Sequence, residues 1–189
     1  MRFGRTLRNS VYEPWKSQYI DYAKLKRLLR EDDAEDIPSS TRPSQKTHEW
    51  SEIDESAFTE ELLNVQLENV NKFHAEKIKH LRERSAECEA TLEKYRRAEE
   101  SRAEPSTGED DKQHDLVGNL HAVLGELDSI TKELNELEKY SRLNYAGFLK
   151  AAKKHDRRRG SRYKVRPLLQ VRLAALPFNS EDYSPLLYR

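Results

Sequence analysis

A chain of 189 residues that is 36% charged and 35% hydrophobic, with a mean hydropathy of −1.00, suits long solvated helices and leaves little room for two separately cored domains. Its one cysteine, Cys88, excludes an internal disulfide and a cysteine-rich zinc site, and no run approaches the roughly 18 apolar residues of a membrane span. The 34 Lys/Arg and 34 Asp/Glu cancel, yet residues 1–30 hold eight basic residues against two acids and residues 142–166 hold ten against one, which predicts a polyanion site assembled by folding.

Residues 2–10 suit a short helix. Asp21 is placed to cap a second one over Tyr22–Arg30, with Leu25, Leu28 and Leu29 turned inward, so residues 1–31 read as an N-terminal helical hairpin. The stretch DDAEDIPSSTRPSQKTHEW, 32–50, has no periodicity and reads as a linker. A long helix follows over 52–102, with Phe58, Leu62, Val65, Phe73, Leu81, Leu92 and Tyr95 among its apolar positions, and EPSTGEDDKQHD, 104–115, reads as a loop. Leu116, Leu120, Val123, Leu127, Ile130, Leu134 and Leu137 alternate by four and three, a coiled-coil-like seam. The register continues through Ser141, Asn144, Phe148, Ala151 and His155, which predicts one helix over 115–158 paired with the 52–102 helix; Asn144 leaves open a break there. Pro167 suits a first turn, and LLQVRLAAL carries a C-terminal helix to Pro177, within small helices over 165–189. No strand pattern appears. The expected fold class is all-α, two long antiparallel helices with an N-terminal helical hairpin and short C-terminal helices.

Catalytic signatures fail in turn. The six glycines form neither a P-loop nor a GxGxxG turn, and the six histidines include no HExxH pair. Carboxylates such as Glu60 and Glu61 read as solvated faces, and His155, in seam register, as a packed or interfacial histidine. The expectation is a non-enzyme with no cofactor and no metal.

The segment NYAGFLKAAKKHDRRRG, 144–160, concentrates the basic charge. At ~100° per residue, Lys150, Lys153, Lys154 and Arg157 share one helical face while Phe148 and His155 point away from it. Apart from Asp156, three positions after Lys153, the acids three or four positions away that normally soften such a stripe are missing. Gly147 and Ala146 form a small-residue patch at its head, and an interior glycine that costs about 1 kcal/mol relative to alanine implies close approach of another segment. Tyr22 and Lys26, spaced i, i+4, supply a candidate: were their helix to cross near Gly147, phenol, ammonium and stripe would converge. Like charges so gathered call for a multiply phosphorylated ligand. For Tyr22 alone, a core aromatic and a phosphate-binding phenol stand even. The alternative function is a helical protein-interaction scaffold whose basic surface docks acidic partners or membrane. Nucleic acid ranks low, because no aromatic platform accompanies the stripe and the acidic middle repels a long polyanion.

The opening MRFGRTLRNSVYEPWKSQYIDYAKLKRLLRED and the later RLNYAGFLKAAKKHDRR closely resemble two blocks of SPX domains, helical sensors of inositol polyphosphates, and the resemblance spans 1–189 as a single domain. The tail VRPLLQVRLAALPFNSEDYSPLLYR resembles, more specifically, the SPX domain of an accessory subunit of the fungal vacuolar transporter chaperone complex, a membrane polyphosphate polymerase. The resemblance implies a phosphate-binding cluster of Tyr22, Lys26 and Lys153. Beside it stands a basic surface of Arg2, Lys154 and Arg157, two of them arginine where lysine is usual. It also implies inositol hexakisphosphate or an inositol pyrophosphate as ligand, other subunits of the polymerase complex as partners, no nucleic acid, and a place on the cytosolic face of the vacuole membrane. The role that goes with these is control of polyphosphate synthesis and phosphate homeostasis by a chain that does not itself span the membrane.

Overall fold

The computed structural model describes residues 3–29, 50–100, 110–159 and 164–187, with the backbone alone for 110–117 and 187. In chain order the elements are α1 (Phe3–Ser10), a 3-10 helix (Glu13–Gln18), α2 (Tyr22–Leu28), α3 (Glu52–Glu60), a π-helical segment (Glu61–Gln66), α4 (Leu67–Glu100), α5 (Asp110–Arg159), α6 (Val165–Ala175), α7 (Pro177–Ser180) and α8 (Ser184–Leu187). The fold is all-α; among the described residues there is no strand, and no helix is long and apolar enough to cross a membrane. The chain folds into two compact units, Met1–His74 with Lys139–Glu181, and Ala75–Glu138 with Asp182–Arg189. The expected linker at 32–50 lies outside the described residues except for Trp50, as does the 104–109 part of the expected loop.

In the first unit the N-terminal segment wraps an aromatic core. Tyr140 is fully buried; its ring centroid lies 4.7 Å from Tyr19, 5.1 Å from Phe73 and 6.3 Å from Trp15. Edge-to-face pairs of this kind add to the apolar area they bury. Burial and the neighbouring Tyr19 phenol push the Tyr140 pKa up, so its hydroxyl stays a donor, which it gives to the Gln18 carbonyl at 2.8 Å. Asp21 caps α2 as expected, its Oδ1 accepting from Lys24 N at 2.8 Å. Leu25 and Leu29 are buried and Leu28 partly so. A capping box of Ser51 and Asp54 starts α3. The helix expected over 52–102 is present but relaxes into a π turn at Glu61–Gln66, and Val65, expected among its apolar positions, is 39% exposed.

In the second unit α4 and α5 run antiparallel, as the pairing of Lys77 with Glu133 and of Arg84 with both Glu126 and Glu133 shows. Ile78, Leu81 and Cys88 from α4 and Val123, Ile130, Leu134 and Leu137 from α5 are buried, so the 4-3 seam is the core face here. Leu120 is 41% exposed, and the side chain of Leu116 lies outside the described set. Helix α5 begins at Asp110, ahead of the expected 115, and runs without a break to Arg159. The break left open at Asn144 does not occur. Asn144 is fully buried inside the helix and spends its side chain on two internal hydrogen bonds described below.

Candidate functional site

The C-terminal turns of α5 set up the site. Phe148, Ala151, Ala152 and His155 are buried, and this anchors the helix with its basic stripe turned outward. His155 is held from both sides, Nε2 2.8 Å from Glu55 Oε1 and Nδ1 3.1 Å from Asp156 Oδ1, with its ring stacked on Phe58 at 4.9 Å. It is therefore a packed histidine, as the seam register suggested. Asp156, the one acid within the basic run, is also engaged: its oxygens accept from the backbone N–H groups of Val165 and Arg166 at 2.8 and 3.2 Å, which caps α6 from a distance. Its charge is directed away from the stripe.

At the head of the stripe the expected close approach is present, but the approaching residue is Ile20, just before α2. A Cβ placed on Gly147 would stand 2.8 Å from Ile20 Cγ2 and 3.7 Å from Phe3 Cε1. Asn144 Oδ1 accepts from Ile20 N at 2.8 Å, and its Nδ2 donates to the Tyr140 carbonyl at 2.8 Å. These bonds and the missing side chain at 147 clamp the start of α2 against α5. Phe3 from α1 meets the Tyr22 ring edge-on at 5.1 Å. Tyr22 is 5% exposed, as a core aromatic would be, and it also lines the cleft described below.

A second polar linkage fixes the azimuth of α2. Asp21 N donates to Gln66 Oε1 at 2.8 Å, Gln66 Nε2 donates to Glu61 Oε1 at 2.7 Å, and Lys24 Nζ pairs with Glu61 Oε2 at 2.7 Å. The i, i+5 partnership of Glu61 with Gln66 is the spacing that a π turn brings side by side. Burial opposes ionisation of Glu61, but the bonds from Lys24 and Gln66 and the lysine charge outweigh it and hold the carboxyl below its usual range. A folded-state pKa below the unfolded one gives stability that is present above the unfolded value and is lost as pH falls through the folded one. Stability measured by denaturant titration is therefore expected to fall on acidification below the ordinary carboxylate range. Glu61→Gln should flatten that part of the curve; an unchanged pH profile would contradict it.

Between these anchored elements lies a cleft of about 910 Å³. Its lining brings together the residues singled out from the sequence, Tyr22, Lys26, Lys150, Lys153, Lys154 and Arg157. Arg2 lies outside the described residues. The lining also includes Gly4, Arg5 and Arg8 of α1 and Lys16 of the 3-10 helix, which the sequence reading did not assign. Among the described residues the lining thus holds eight Lys/Arg against one acid, Asp21, whose carboxylate is occupied as the α2 cap. Among the described residues, Arg5, Arg8, Lys150 and Lys153 have no carboxylate within ion-pair distance, and no group of three or more His, Cys, Asp or Glu could hold a metal ion. The chemistry available is strong attraction for a compact, multiply charged anion, with an aromatic hydroxyl residue beside it.

No protein-family model matches the chain. The SPX domain of Chaetomium thermophilum glycerophosphodiester phosphodiesterase 1, solved in complex with inositol hexakisphosphate, superposes on it with a TM-score of 0.60 and 20% identity over 99% of this chain and 91% of that one. The chain has the fold of that SPX domain. In sequence it is similar to vacuolar transporter chaperone complex subunit 2 of Saccharomyces cerevisiae, 38% identical over 194 residues and all of this chain. The corresponding subunit of Schizosaccharomyces pombe is 36% identical over 187 residues and 99% of the chain. It spans 20% and 22% of the length of these two relatives.

Proposed function

We propose that this chain is a regulatory, non-catalytic domain that binds inositol polyphosphates, inositol hexakisphosphate or an inositol pyrophosphate, in the cleft between α1, α2 and α5. The carrying observation is the collection, among the described residues, of eight cations from two distant parts of the chain around one concave site, with one acid, Asp21, that is otherwise engaged. Tyr22, Lys26 and Lys153 hold one phosphate, and Lys150, Lys154 and Arg157, with Arg2, hold its neighbours. The inositol hexakisphosphate bound to the structural neighbour supports this ligand class. Similarity to vacuolar transporter chaperone subunits supports the wider role. In it, the ligand state of the domain governs polyphosphate synthesis and phosphate homeostasis, with the other subunits of that complex as partners, on the cytosolic face of the vacuole membrane.

Isothermal calorimetry tests the reading. At matched ionic strength, inositol hexakisphosphate is expected to bind at least ~100-fold more tightly than inorganic phosphate, because several charge-assisted contacts replace one. Equal, weak binding of both would refute it.

A further inference from the structure

We infer that α1 provides a second anion-binding wall, in which Arg5 and Arg8 take the phosphates that face away from α5, and that this wall sets the preference for ligands phosphorylated all round over ligands phosphorylated along one edge. The inference rests on the reading of the cleft as an inositol polyphosphate site.

Helix α1 is anchored in a way that aims these arginines. Leu7 is buried, Phe3 packs edge-on against Tyr22, and a Cβ on Gly4 would lie 3.7 Å from the Tyr22 ring. Gly4 and Arg8 are i, i+4 neighbours and so follow one another along the same side of the helix. That side begins against Tyr22 and continues along the cleft, and Arg5 lies next to it; both arginines are lining residues. Both are exposed, and neither has a carboxylate partner among the described residues. Helix α1, with the sequence FGRTLRNS, carries no acid at all. A solvated surface arginine in so charged a chain normally finds an acid at i±3 or i±4. Two that line a cleft with no such acid among the described residues offer paired donors to an anion.

The size and shape of the cleft agree. A volume of about 910 Å³ lies at the upper end of the range for small-molecule sites, roughly 300–1,000 Å³, so a compact polyanion can touch both walls at once. The α2–α5 wall alone would hold phosphates on one side of an inositol ring and leave the others in water. Guanidinium forks opposite them provide paired donors where the far phosphates stand. A ligand without phosphates on that side gains nothing from α1.

Calorimetry of the Arg5→Ala/Arg8→Ala double variant with inositol hexakisphosphate and with inositol 1,4,5-trisphosphate tests this. Hexakisphosphate affinity is expected to fall roughly tenfold or more, with a shallower dependence on salt, while trisphosphate affinity changes less than about threefold. The Arg5→Lys/Arg8→Lys variant, which keeps the charge, should recover most of the loss, and this separates an effect on binding from an effect on folding. An unchanged hexakisphosphate affinity, or equal losses for both ligands, overturns the inference while leaving the α2–α5 site standing. If the unmodified chain fails to prefer hexakisphosphate over inorganic phosphate, the site itself is wrong and this inference falls with it.

Discussion

Replacement of Gly147 by valine is expected to destabilise the chain by about 2–3 kcal/mol, although valine is the better helix former by a few tenths of a kcal/mol. The cause is the 2.8 Å approach of Ile20 Cγ2 to the position a Cβ would occupy. Ile20 is 3% exposed and its N–H is bonded to Asn144, so it cannot swing aside without breaking a buried hydrogen bond. A displaced Ile20 also carries Asp21, Tyr22 and Lys26 with it, so ligand affinity should fall together with stability. Chemical denaturation measures the first effect and calorimetry the second. Shortening the opposing side chain should give partial relief: Ile20→Ala in the Gly147→Val background is expected to cost less than the sum of the single changes, with a coupling of about 1 kcal/mol or more. A Gly147→Val chain as stable as the original would mean that helix and loop are not clamped at this point.

Lys153→Ala should have the opposite signature. Each charge-assisted contact to a phosphate is worth about 1.5–3 kcal/mol, so Lys153→Ala and Lys26→Ala are each expected to weaken inositol hexakisphosphate binding by roughly ten- to a hundredfold. Without ligand, Lys153 is exposed beside Lys150, and neither has a carboxylate partner among the described residues. Removing Lys153 therefore removes repulsion and no attraction, and the unliganded variant should unfold at the same temperature or slightly higher. Thermal unfolding with and without ligand shows both effects at once. A ligand that adds about 2.7 kcal/mol at 100 times its dissociation constant should add measurably less to the variant at the same concentration. A marked loss of stability in unliganded Lys153→Ala would make the lysine a structural residue and refute the binding role given to it.

Features governed by helical periodicity were legible before any coordinates. The stripe at 150, 153, 154 and 157, the inward turn of Phe148 and His155, the Asp21 cap and the 4-3 seam all depend on spacings of three and four within one helix, and the structure reproduces them, the seam from Val123 onward. Features that depend on a partner far away in the chain were not. Gly147 announced that something comes close, but that it is Ile20 follows from how the 3-10 helix delivers the chain to α2. Asn144 looked like a cap because its amide can serve one, whereas buried in a helix it serves Ile20 and Tyr140. Arg5 and Arg8 went unassigned, although an acid-free α1 was a signal in plain view. The early start of α5 also had a trace, since Asp110 and Asp111 are the acids a helix N-terminus favours.

The π turn at Glu61–Gln66 gives α3 and α4 an unusual tolerance of length. A π turn is an α-helix with one residue too many, and the surplus is taken up locally, so the flanking helices keep the facing that a regular helix one residue shorter would have. Loss of a residue anywhere else between 52 and 100 would rotate everything beyond it by ~100° and turn buried positions such as Val70 and His74 toward water. Loss of one within 61–66 leaves both faces in phase. It does abolish the side-by-side placement of Glu61 and Gln66 that holds Asp21 and Lys24. A chain one residue shorter at this point would keep its core and lose the exact seating of α2, so the count of residues in a single helical turn decides how well Tyr22 and Lys26 are aimed.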